Sequence, residues 1–273
     1  MTTTASISDH PLAAALDRSS RPSPIETPRV PFTRLVHVEL RKAVDTRSGL
    51  SMLVAIAGLT VAVVVGMWFA APLEMQTFGG FLRGASNPAG MLLPLIGILA
   101  VTSEFGQRTG LTTFALEPNR TRVLGAKALS VVVLGSIVLL IGVAVATIAA
   151  ALAGQFHDVP DVWGQLAARE AAGRVATLML LLAAGLAMGL VFLNSPIAIV
   201  TFIVAPMILN TLGIVLDSVS RVIEWIDLGT ATLPLTSESM TGQDWAHLAA
   251  AVTVWIVVPA AIGVWRVRRY EFR

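Results

Sequence analysis

SEFGQRTGLTTFALEPNRTRVLGAK, Ser103 to Lys127, is a polar and charged stretch set between two long apolar segments. It opens on a carboxylate at Glu104 and continues through Phe105, Leu111, Phe114 and Leu116 among small polar residues. It reaches Pro118 before the basic group Arg120, Arg122 and Lys127. A mere connector needs no such pattern. Gly106 and Gly110 loosen the backbone ahead of Leu111, Phe114, Ala115 and Leu116, whose spacing predicts a short helical face. Pro118 ends that helix, because the residue before proline is disfavoured in helical geometry. Asn119 or Thr121 is placed to cap the next helix, which runs on from Arg122.

The apolar segments on either side decide the solvent. A chain of 273 residues that is 55% hydrophobic and 13% charged, with mean hydropathy +0.76, has too little polar surface for a water-soluble globule of that size. An all-α, polytopic membrane protein follows. Six stretches are long enough to cross about 30 Å of hydrocarbon at about 1.5 Å per residue. They lie near Leu50 to Ala70, Ala85 to Thr102, Ala126 to Leu152, Ala171 to Leu193, Pro196 to Leu216 and Ala246 to Val264. The second is short and carries Pro94 and Gly97. Only Asn194 and Ser195 part the fourth from the fifth, which predicts a tight helical hairpin.

Ahead of the spans, residues 1–28 are rich in Ser, Thr and Pro without apolar periodicity and read as a disordered tail. The first apolar run begins at Leu50 and is expected to be a span, not a cleaved leader. Residues 29–48 form a second unit. Phe32, Leu35, Val36, Leu40 and Val44 recur at three- and four-residue steps, with Arg34, Glu39, Arg41, Lys42 and Arg47 pointing mainly elsewhere. That pattern predicts an amphipathic helix in the membrane interface, its basic residues near lipid phosphates; a plain extension of the first span is the alternative. Residues 49–273 make up the transmembrane domain.

Basic residues set the orientation. With both termini cytoplasmic, fifteen of the 19 fall inside, and only Arg83, Arg169, Arg174 and Arg221 fall outside. Between the fifth and sixth spans the outer face is acidic, with Asp217, Glu224, Asp227, Glu238 and Asp244. Val219, Val222, Ile223, Trp225 and Ile226 there suit a short helix at the outer surface, or a solvated loop with an interfacial Trp. Lys42 and Lys127 are the only lysines, which with the Ala and Val richness points to a high-GC bacterial genome.

Absences narrow the chemistry. The span interiors hold almost no ionisable residues, whereas carriers driven by ion gradients need them at membrane depth. His10, His37, His157 and His247 show no spacing that pairs them on a metal or in a catalytic group. Without cysteine, disulfides and thiolate sites are excluded. No GxxxxGK[ST] phosphate loop occurs. If the chain serves transport, its energy comes from elsewhere. The 103–127 stretch is the candidate inlet, with Phe105 and Phe114 as anchors and Glu104, Arg108, Arg120 and Arg122 as a charged rim; a surface loop obeying the positive-inside rule is the alternative.

Ser103, Glu104, Thr109, Leu116, Pro118, Arg120 or Arg122, and Lys127 resemble the E…GT…LL…P…R…K run of type-2 ABC exporter permeases. ELRK at Glu39 to Lys42 and TRS at Thr46 to Ser48 are similar to that family's elbow segment. Arg108 stands where the family commonly has Gly, and the distance from Pro118 to Lys127 is slightly shortened. The resemblance implies a permease with an N-terminal elbow helix (Glu39, Arg41, Lys42) and a cytoplasmic coupling helix. Glu104, Phe105, Arg108, Thr109, Leu111, Phe114, Leu116, Pro118, Arg120 and Arg122 would serve ATPase coupling. It further implies a soluble ABC ATPase partner that binds ATP and Mg, with no cofactor on this chain. A second permease subunit, identical or related, would complete the transporter in a bacterial inner membrane, and no nucleic acid is involved. On this reading Glu104→Arg with Phe105→Ala abolishes ATP-dependent transport and leaves insertion intact. A membrane scaffold or assembly protein and a secondary carrier are the rival readings.

Overall fold

The computed structural model describes residues 30–106, 119–157, 159, 161–164, 168–237 and 239–269, and every regular element among them is helical. The tail 1–28 and the segment 107–118 lie outside the described residues. Helix α1, Phe32–Asp45, is strongly amphipathic. Thr46 then caps α2, Arg47–Ala70, its side chain accepting from the Gly49 N–H at 3.2 Å. After a single 3₁₀ turn at Leu73–Met75 come α3, Phe78–Gly106, and α4, Arg120–Phe156. The hairpin of α5, Ala168–Phe192, and α6, Ser195–Val215, follows, with Asn194 capping α6 through the Ile197 N–H. Two short helices, α7 (Asp217–Ile226) and α8 (Leu228–Thr232), precede a last run of α9, Gly242–Val252, and α10, Val258–Arg269. One wide π turn at Thr253–Val257 joins α9 to α10 without a break. Among the described residues, six helices are long and apolar enough to cross a membrane: α2 to α6 and the continuous α9–α10 run.

The second span departs from expectation. It is not short: α3 has 29 residues and passes through Pro88 and Pro94. Thr77 starts it early, its hydroxyl accepting from the Gly80 N–H. Neighbouring helices let a membrane helix tolerate interior proline. Here that neighbour is α5, the helix α3 contacts most. A methyl group placed on Gly185 would lie 2.0 Å from the Pro94 carbonyl oxygen, and one on Gly97 2.6 Å from the Leu182 carbonyl. The two backbones therefore touch, which is how small residues hold helices together where lipid removes the hydrophobic drive. Helix α4 is also longer than expected; its 37 residues reach about 55 Å.

Core layers run along the bundle. Ile56, Leu93, Val131 and Leu182 fill one, and Val101, Leu190 and Val267 another. Helix α6 stands apart, with Ala198 its only buried residue. Thr60 is buried between helices, whereas Asn210 and Thr211 lie exposed on α6 and bond back to the Pro206 and Met207 carbonyls. In the stretch beyond α6, the short helix expected there forms as α7. Asp227 then caps α8 through the Thr230 N–H at 3.0 Å.

Candidate functional site

Four charges meet where α1 crosses the end of α3 and the start of α4. Glu39 and Lys42 sit three residues apart on α1 and so share a face. Glu104 lies in the last turns of α3, and Lys127 lies two turns into α4. Lys42 Nζ donates to Glu39 Oε1 at 2.7 Å and to Glu104 Oε1 at 2.9 Å. Lys127 Nζ donates to Glu39 Oε2 and lies 3.4 Å from Glu104 Oε1. Each lysine thus meets both carboxylates, and the four formal charges cancel.

Burial sets what this arrangement is worth. Glu39 and Glu104 are each 6% exposed and Lys127 4%, while the Lys42 side chain is 39% exposed and forms the open edge. Ion pairs out of water survive only with near-complete hydrogen bonding, and removing one partner costs about 3–5 kcal/mol. Burial alone would push the Glu39 pKa up, but Lys127 and Lys42 outweigh it and hold the carboxyl below its ordinary value. Burial would likewise lower Lys42, yet the hydrogen bonds it donates to Glu104 and Glu39 raise it. Both groups are therefore held in their charged forms.

Other ties close the same end of the bundle. The Thr102 and Ser195 hydroxyls are 2.6 Å apart, which fixes α3 to the α5–α6 hairpin. Arg120 donates to the Val267 carbonyl at 2.6 Å and Arg266 to the Val191 carbonyl. The last helix is thus tied to the start of α4 and the end of α5. Asn119 is the cap of α4; Thr121, the other candidate, donates its hydroxyl to the Asn119 side chain instead.

No family model matches the sequence, and no curated protein matches it either.

The expected surface changes at three residues. Glu104 is not part of an exposed rim: it is buried and committed to Lys42 and Lys127, so an arginine there would break a charge cluster before touching any partner. Lys42 meets two carboxylates, Glu39 on its own helix and Glu104 on α3. Glu39, expected on the polar side of α1, is buried too. Arg41 is exposed and pairs with Asp45 at 3.0 Å. Arg120 and Arg122 lie in the first turn of α4, the Arg122 N–H donating to the Asn119 side chain. Phe105 falls in the last turn of α3, and its side chain lies outside the described residues. Arg108, Thr109, Leu111, Phe114, Leu116 and Pro118 lie outside them altogether.

Lys127 is the functional candidate that the residue-by-residue reading passed over. Its signal was present: a lysine just inside an apolar run needs a nearby carboxylate. Among the described residues, no group of three or more His, Asp or Glu is arranged to hold a metal ion.

Proposed function

We propose that this chain is the permease subunit of an ATP-binding cassette transporter, of exporter type, driven by a separate soluble ATPase. The observation that carries the reading is the buried charge cluster. It ties both flanks of the 103–127 stretch, at Glu104 and Lys127, to one amphipathic helix. A force applied to that stretch therefore reaches α1, α3 and α4 together, since packed helices move as bodies more readily than they deform. The six apolar helices agree with the permease architecture that the resemblance implies. On this reading both termini are cytoplasmic, α1 is the elbow helix in the inner interface, and residues 105–116 dock on the ATPase while Glu104 anchors them to the cluster. ATP-driven closure of two ATPase subunits would rock two permease subunits between inward and outward access.

The test leaves the cluster alone, because Glu104→Arg would disrupt folding. The full chain is purified from its native membrane in mild detergent. A soluble protein carrying GxxxxGK[ST] is expected to co-purify, and Phe114→Ala with Leu116→Ala is expected to release it without lowering the thermal midpoint of the permease. Retention of that protein at the wild-type ratio would remove the docking assignment. Labelling of a single thiol at Thr112 by an impermeant reagent from outside the cell would reverse the orientation and end the reading.

A further inference from the structure

Beside the charge cluster, a cleft of about 190 Å³ opens between α1, α2, α3 and α4. Its inner wall is apolar, with Met52, Ile96 and Leu134, and its mouth carries Lys42, Ser48 and Ser103. Ser48 and Ser103 are polar residues at helix ends, and Lys42 is the exposed edge of the cluster. One end of the cleft is thus hydrocarbon-like and the other is polar and charged. It is also smaller than the roughly 300 Å³ at which pockets for drug-sized ligands begin. An elongated apolar tail with a polar head fits those constraints.

Charge narrows the head group. The two lysines and two glutamates sum to zero, so a purely anionic head gains little net attraction. A head carrying both signs meets both signs: its phosphate faces the Lys42 ammonium and the Ser48 and Ser103 hydroxyls, and its ammonium faces the Glu104 oxygen that is not bonded to Lys42, since Glu104 also lines the cleft. We propose that the cleft between α1 and α2–α4 binds a zwitterionic phospholipid, with part of one acyl chain against Met52, Ile96 and Leu134 and its head group at Lys42. This requires only that the chain be embedded in a bilayer and is independent of any ATPase. The lipid would fill the space beneath α1, bracing that helix against the spans.

The full chain is reconstituted in nanodiscs with a phosphatidylethanolamine whose acyl chain carries a diazirine near the carboxyl end. A second preparation contains the same probe as phosphatidylglycerol. After illumination, labelled peptides are mapped by mass spectrometry. Labelling by the ethanolamine probe is expected at 52–53 and 96–100, several-fold above the exposed α2 positions Leu59 and Val61. The glycerol probe is expected to show no such enrichment. Met52→Trp, which fills the cleft, is expected to reduce labelling at 96–100 to the Leu59 level. Ala100→Leu serves as a second filling variant, and whichever keeps the wild-type thermal midpoint is scored. Equal enrichment with both probes overturns the head-group assignment. Uniform labelling along α2, or labelling that persists in a well-folded filled variant, overturns the site.

Discussion

Two ionic clusters lie among the described residues, and they differ in every respect that determines strength. Glu39, Lys42, Glu104 and Lys127 join three helices, balance in charge and exclude water from three of their members. At the opposite end, Arg83 and Arg174 share Glu170 at 2.9 and 3.2 Å, joining α3 to α5. Arg83 is 55% exposed there, and the group carries one excess positive charge. The same residue types thus act as a buried lock at one end and a solvated tether at the other. Exposure, more than distance, separates them: charges in water are screened and their pairs are worth about 0–1 kcal/mol.

Breaking the lock should produce the largest effect. Lys127→Met leaves Glu39 and Glu104 with one lysine between them, and a loss of about 3–5 kcal/mol is expected. Thermal or denaturant unfolding in detergent measures it. Replacing Glu39 and Lys127 together by Leu and Met should cost much less than Lys127→Met alone, because the surviving Lys42–Glu104 pair remains balanced. A double variant as unstable as the single one would show that Glu39 contributes something other than charge.

Glu170→Gln at the tether sharpens the contrast. A cost of about 1 kcal/mol or less is expected, and the difference from wild type should shrink as salt rises from about 0.05 to 0.5 M, where screening shortens to a few Å. The Lys127→Met cost should hardly depend on salt, since its neighbourhood is closed to water. If both variants respond alike to salt, the contrast between lock and tether fails.

The smallest effect concerns pH. Glu39 has its pKa depressed in the folded chain, so its stabilisation is complete above the unfolded carboxylate value of about 4.3 and is lost as pH falls through the lower folded value. Lys42 is raised, so its contribution is complete below the unfolded value of about 10.4 and is lost as pH rises through the higher folded one. The lock should therefore contribute a constant amount between about pH 5 and 9. Comparing wild type with Lys42→Met by unfolding at several pH values tests this; a difference that changes between pH 6 and 8 would break the assignment.

The hydrophobic runs were sufficient to establish the helical class and the six apolar helices, because a 20-residue apolar stretch has few alternatives to spanning a bilayer. The cap at Asn119 was legible as one of two candidates, since capping is a local bond between neighbours in sequence. The length of α3 was not, because Pro94 and Gly97 read locally as weaknesses and only contact with Gly185 and Leu182 of α5 turns them into a packing surface. Nor was the place of Glu104 legible. From sequence it is a carboxylate at the edge of a polar stretch, but 62 residues separate it from Lys42 and 88 separate Glu39 from Lys127. Local pattern determined which segments become helices, whereas the fold alone decided which charges lie within hydrogen-bonding reach, because Coulomb energy depends on distance and solvent exposure and not on order along the chain.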